Sequence, residues 1–153
     1  MTEHGLDLSD DFIGRPGTAF VVGGSGGLGA AVVRKLAARG SDVAFTYRQN
    51  EASAAQLAQT VSDLGRQAWT IGLDLRNHDG CAQAIDAIAE AAGGIHTLVY
   101  AAGPHVPQKH LSKVTPAEMQ EQLDADASGF FAVASPALPH LRQTEGSIVA
   151  VTT

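Results

Sequence analysis

The chain has 153 residues, 17 of them glycine and 26 alanine, with 44% hydrophobic and 17% charged residues and only eight aromatic side chains. That balance excludes wholesale disorder and suits one domain whose core is built by close-packed helices and strands rather than by bulky anchors. A net charge of −6 argues against nucleic acid as a partner, because phosphates call for a basic face.

The acid is concentrated at the start: Glu3, Asp7, Asp10 and Asp11 all precede the first Lys or Arg, Arg15. Residues 1–14 therefore read as an acidic arm and residues 15–153 as the domain. This arm has neither the basic start nor the apolar stretch of a secretory leader, and no apolar run approaches the ~18–20 residues of a membrane span. The single Cys81 forms no intrachain disulfide, so a cytoplasmic location without a membrane partner is expected. Its spacing with Ile85, Ile88 and Ala92 reads as a helical core stripe.

Short, near-continuously apolar runs at 18–23, 42–47, 67–73, 95–101 and 147–151 predict strands covered on both faces. Between them lie helical patterns. The first carries Leu28, Val32 and Leu36 and stops at Gly40. The second follows Asn50 as N-cap, carries Leu57, Val61 and Leu64, and ends at Gly65. The third covers about 78–92, before Gly93 and Gly94. Residues 104–114 predict a loop or irregular turn. Thr115-Pro116-Ala117-Glu118 then opens a fourth helix with a capping box and Pro at the first position. Its expected buried face is Met119, Leu123, Ala127, Phe130 and Ala134, with Pro136 and Pro139 ending or kinking it. Alternating strands and helices predict a doubly wound parallel α/β sheet, a Rossmann fold, in the order 3-2-1-4-5.

The strongest site signal is Val22-Gly23-Gly24-Ser25-Gly26-Gly27-Leu28-Gly29, between the first strand and the first helix. A tight turn there needs positive φ, a pyrophosphate needs backbone approach without a Cβ, and the helix N-terminus offers free N–H groups. Two registers fit: Gly24, Gly26 and Gly29 as G-x-G-x-x-G, or Gly23, Gly27 and Gly29 as G-x-x-x-G-x-G. A P-loop does not fit, because Ala30 and Ala31 stand where Lys and Ser or Thr belong. A dinucleotide is the expected ligand. The second strand ends in Tyr47, Arg48, Gln49 and Asn50 with no carboxylate to bind both ribose hydroxyls. Arg48 is placed to grip a 2′-phosphate, so NADP is expected over NAD.

From about residue 16 onward the chain resembles the short-chain dehydrogenase/reductase family, of the NADP type. The loop 23–29 matches T-G-x-x-x-G-x-G with Val22 at the Thr position. Leu73-Asp74-Leu75 matches the segment that holds adenine. Tyr100, Ala101, Ala102 and Gly103 stand at N-N-A-G. Residues 124–130 match the helix around the catalytic Asn, and 146–151 the strand leading to the catalytic Ser. The resemblance implies hydride transfer between a nicotinamide and a small carbonyl or alcohol substrate. It also implies cofactor contacts from Gly23, Ser25, Gly26, Gly27, Leu28, Gly29, Tyr47, Arg48, Asn50, Asp74, Leu75, Ala101, Ala102 and Gly103.

On the catalytic side the resemblance puts Asp126 at the Asn position and Thr153 at the Ser position. The Tyr-x-x-x-Lys element would lie past residue 153. Tyr47, with Glu51 four residues on, and Tyr100, with Pro104, do not replace it. A family domain runs about 250 residues by the same resemblance, so a bare fifth-strand edge is expected to self-associate or to await a further C-terminal segment. The alternative is a non-catalytic NADP-binding or regulatory module, or an interaction domain recruiting a strand at that edge. His105 and His110 predict no metal site, Lys109 and Lys113 are minor anion-binding candidates, and Asp86 with Glu90 reads as a solvated helix face.

Overall fold

The structure, a computed structural model, describes residues 11–103 and 109–151. In chain order it forms β1 (Thr18–Val22), α1 (Gly27–Ala38), β2 (Val43–Tyr47), α2 (Glu51–Asp63), β3 (Ala68–Gly72), α3 (His78–Ala92) and β4 (Ile95–Tyr100). A single 3-10 turn (Leu111–Lys113), α4 (Pro116–Leu123), a π-helical turn (Asp124–Ser128), α5 (Gly129–Gln143) and β5 (Ser147–Ala150) complete it. The sheet order is β3-β2-β1-β4-β5, every pairing parallel, as the strand and helix alternation predicts.

Strand alternation divides the core in two. Phe20, Val22 and Leu98 face α3 and α5, where Ile85, Ile88, Val133 and Leu141 close the layer. Val21, Val43 and Phe45 face α1 and α2, against Val33, Leu57 and Val61. Cys81 is a buried free thiol in the first layer, as its stripe predicts. The central strands β1 and β4 are buried throughout, while β5 is exposed along its whole length.

Helix stops follow the predicted chemistry. Gly40, Gly65 and Gly93 take positive φ of 87°, 73° and 74°, a conformation cheap only for glycine. Asn50 and Asn77 cap α2 and α3 by accepting from Ser53 N and Gly80 N.

Three helical faces differ from expectation. On α1 the buried residues are Gly29, Val33 and Ala37, one position on from the predicted stripe, and Leu28 is exposed. The cause is proximity: the helix start lies so close to the preceding loop that only small residues fit beneath it. Leu64 is also exposed, because α2 already ends at Asp63. The fourth predicted helix is two helices, α4 and α5, separated by the π-helical turn, which breaks the expected i, i+4 register. Thus Met119, Leu123 and Ala127 are exposed, while Phe130 and Ala134 keep their inward positions. α5 runs through Pro136 and Pro139 to Gln143; packing on α3 and β4 outweighs the two ladder bonds that proline removes.

The end of the predicted arm folds onto the domain. Asp11 pairs with Arg39, Phe12 N donates to Arg39 O at 3.1 Å, and the Phe12 ring stacks on His96 at 5.2 Å. Residues 1–10 of the arm, His105 and Thr153 lie outside the described residues. Among the described residues no helix is long and apolar enough to cross a membrane.

Candidate functional site

A cleft of about 640 Å³ opens at the C-terminal ends of the strands, where the strand order reverses between β1 and β4. Open α/β sheets bind ligands at this switch point. The loop between β1 and α1 forms its floor. Gly23 takes φ +78°, and a Cβ there would stand 2.7 Å from Ala102 Cα. A Cβ on Gly24 would strike the Phe45 side chain, and one on Gly29 the Gly23 carbonyl. These three glycines are demanded by the protein's own packing.

Gly26 and Gly27 are different. A Cβ on Gly27 meets nothing within 4 Å, and one on Gly26 meets only Gly23 O at 3.3 Å. Neither of the two glycine registers coincides with the sterically required set.

The loop is held from β2. Gly23 N donates to Thr46 Oγ1 at 2.9 Å, and Ser25 N donates to the Thr46 carbonyl at 3.3 Å. Thr46 is buried; as a β-branched residue in a strand it carried no distinguishing signal in the sequence. Side chains cap α2, α3 and α4, but Gly26 gives α1 no such cap, and the first turn of α1 holds no acid. An uncapped helix start facing a cleft presents unpaired N–H donors and a partial positive charge to an anion.

Gly23, Ser25, Gly26, Tyr47, Arg48, Asp74, Leu75, Ala101, Ala102 and Gly103 all line the cleft, so most of the predicted contacts converge. Four do not line it. Gly27, Leu28 and Gly29 belong to α1 beside it, where Gly29 shapes the loop from beneath. The Asn50 side chain caps α2, accepting from Ser53 N at 3.0 Å, and lies outside the cleft lining. Asp126 sits exposed in the π-helical turn and is likewise not part of the wall. Thr46, Leu73, Arg76, Tyr100, Glu121, Asp124 and Ala125 also line the cleft; the sequence reading placed Leu73, Tyr100, Asp124 and Ala125 in matching segments without assigning them contacts, and passed over Thr46, Arg76 and Glu121.

Asp74 is engaged more tightly than expected. Arg76 reaches it with Nε at 3.0 Å, Nη2 at 2.6 Å and its backbone N at 3.1 Å. These bonds, with a smaller contribution from the Arg48 charge, bring the Asp74 carboxyl down to about 2. Asp74 is therefore a fixed carboxylate acceptor at the cleft rim. Tyr100 is the reverse case: burial first, then the Asp126 and Cys81 charges, push its phenol up to about 12. It stays protonated, with its hydroxyl donated to Ala125 O at 2.6 Å, and is no general acid near neutral pH.

The remaining candidates resolve into structural pairs. Lys109 pairs with Glu118 of the α4 capping box, and His110 caps the 3-10 turn. Asp86 meets His140 of α5 at 3.0 Å. Among the described residues no group of three His, Cys, Asp or Glu is arranged to hold a metal.

The model of the short chain dehydrogenase family matches residues 17–153. The chain belongs to the short-chain dehydrogenase family. It is 30% identical to the 3beta-hydroxysteroid dehydrogenase 1 of Eggerthella lenta, over 93% of this chain and 54% of that protein. A solved short chain dehydrogenase from Burkholderia cenocepacia in complex with NADP is 32% identical, with a TM-score of 0.79, over 89% of this chain and 55% of that one. Carveol dehydrogenase from Mycobacterium avium in complex with NAD is 25% identical, with a TM-score of 0.81, over 90% of this chain and 54% of that one. The chain thus spans about half the length of these short-chain dehydrogenases. The family's glycine loop, switch-point cleft and sheet order are all present.

Proposed function

We propose that the cleft binds NADP and that these residues are the cofactor-binding portion of an NADP-dependent short-chain oxidoreductase acting on a small carbonyl or alcohol. The observation that carries this is the uncapped, acid-free start of α1 beneath the glycine loop, facing a cleft whose β2 corner offers Arg48 and no carboxylate. The loop suits a pyrophosphate: Gly26 and Gly27 are exposed, with open space where a Gly27 Cβ would stand, and the first-turn N–H groups would meet its charge. Arg48 would hold the 2′-phosphate, Asp74 and Leu75 the adenine, and Ala101, Ala102 and Gly103 would let a ribose pass close to backbone. When bound, the dinucleotide supplies or accepts the hydride.

No Tyr-x-x-x-Lys element occurs in these 153 residues, so the proposal for this chain is cofactor binding, and proton relay belongs to a chain that includes that element. A cytoplasmic setting fits the lone buried thiol. An association role at β5 is the second reading, favoured by Ile148 and Val149, 38% and 49% exposed on the edge strand of the described sheet.

Arg48 gives the test of cofactor choice. Arg48→Ala should weaken NADPH by about 10–100-fold, the worth of one charge-assisted phosphate contact, and leave NADH within about twofold. Calorimetric titration of both proteins with both nucleotides measures it. Equal losses for the two nucleotides would overturn the 2′-phosphate role.

A further inference from the structure

Tyr100 occupies the end of β4, where it both lines the cleft and reaches across to the helical layer. Its hydroxyl donates to Ala125 O at 2.6 Å, in the middle of the π-helical turn Asp124–Ser128. Its ring meets Phe130 edge-on at 5.5 Å. Directly opposite stands Gly129, where a Cβ would lie 2.7 Å from the Tyr100 hydroxyl oxygen. A π-helical turn exchanges i→i+4 hydrogen bonds for i→i+5 ones. The phenol adds a donor to one carbonyl of the turn, and Gly129 clears the path. Asp124 and Ala125, on that same turn, line the same cleft as Asp74 and Leu75, and a Cβ on Gly129 would lie 3.4 Å from Leu75 Cβ.

We infer that Tyr100 is a positioning residue: its hydroxyl pins the π-helical turn, and the pinned turn sets the wall against which the adenosine half of the dinucleotide lies. This rests on the cofactor reading above. The pair Tyr100 and Gly129 acts as one device, since the hydroxyl needs the missing Cβ.

The coupling gives the test. Tyr100→Phe keeps the ring against Phe130 and removes only the hydroxyl. Loss of one buried hydrogen bond should weaken NADPH about tenfold. Hydrogen exchange of the amides of 124–128 should quicken by a similar factor, with β1 and β2 unchanged. Gly129→Ala should do the same in the wild-type background, by driving the phenol off Ala125. In the Tyr100→Phe background Gly129→Ala should add little, because the atom it strikes is gone.

Wild-type affinity and exchange in Tyr100→Phe would overturn the inference. So would exchange that quickens uniformly over the sheet, or a Gly129→Ala effect that adds in full to Tyr100→Phe. Wild-type protein that binds neither NADPH nor NADH would instead contradict the cofactor reading, leaving the exchange and double-substitution results to judge the pin.

Discussion

Gly29→Ala should remove dinucleotide binding, by 100-fold or more, and destabilise the fold by about 1–3 kcal/mol, the usual range for forcing an extra methyl into a packed site. The added Cβ strikes the Gly23 carbonyl and crowds the Gly23 carbonyl carbon and Gly24 Cα, both 2.8 Å away. All three are backbone, so no rotamer change relieves the contact. The loop must move off the helix start, and its bonds to Thr46 through Gly23 N and Ser25 N hold it where it is. The same residue that is buried for packing thereby governs where the first-turn N–H groups point. Gly27→Ala is the matched control. Its Cβ meets no protein atom within 4 Å, and alanine favours a helix by about 0.5–1 kcal/mol over glycine. It should leave stability unchanged or raised. Thermal melts and nucleotide titrations of the two variants check both halves.

The second large effect lies at the opposite end of the sheet. His96 is 1% exposed, stacked under Phe12, with Nδ1 2.9 Å from Thr97 Oγ1 and Nε2 3.2 Å from Ser41 Oγ. Burial, and then the Arg15 charge, bring its imidazole down from 6.5 to about 4, against a smaller opposing pull from Asp42. The unfolded chain therefore binds a proton that the folded one refuses. Stability is whole above about pH 6.5 and falls as pH drops toward 4, by about 3 kcal/mol for a depression of this size. Asp74 and Glu118, lowered from 3.8 and 4.5 to about 2, keep their contributions above about pH 5 and lose them as pH falls from there toward 2, so the decline between pH 6.5 and about 5 belongs to His96. Urea unfolding between pH 7 and 4 should show the decline, and His96→Gln, which cannot charge, should flatten it. An equally steep decline in that variant would contradict the assignment.

The parallel sheet was legible because both layers repeat a simple rule. Val21 and Phe20 point to opposite faces, and both faces are covered, so β1 is apolar continuously from Ala19 to Val22. Helix ends at Gly40, Gly65 and Gly93 were legible because positive φ selects glycine. What escaped was set by distance rather than composition. Leu28 looked like core, yet the close approach of α1 to its loop buries Gly29 instead. The π-helical turn was hidden because its residues, Asp124, Ala125, Asp126, Ala127 and Ser128, are ordinary helix formers or caps locally. The donor that sustains it, Tyr100, lies 25 positions earlier. Thr46 and Arg76 escaped for the same reason, since their roles depend on what β2 and β3 stand beside. Asn50 shows the converse: a cap signal read from the sequence is the bond the structure makes, from Ser53 N to Asn50 Oδ1.

Titration of the purified chain with NADPH by calorimetry tests the central claim most directly. Saturable binding at one nucleotide per chain, tighter than NADH and abolished by Gly29→Ala, is the expected result. No binding of either dinucleotide by a folded, cooperatively melting sample would contradict it.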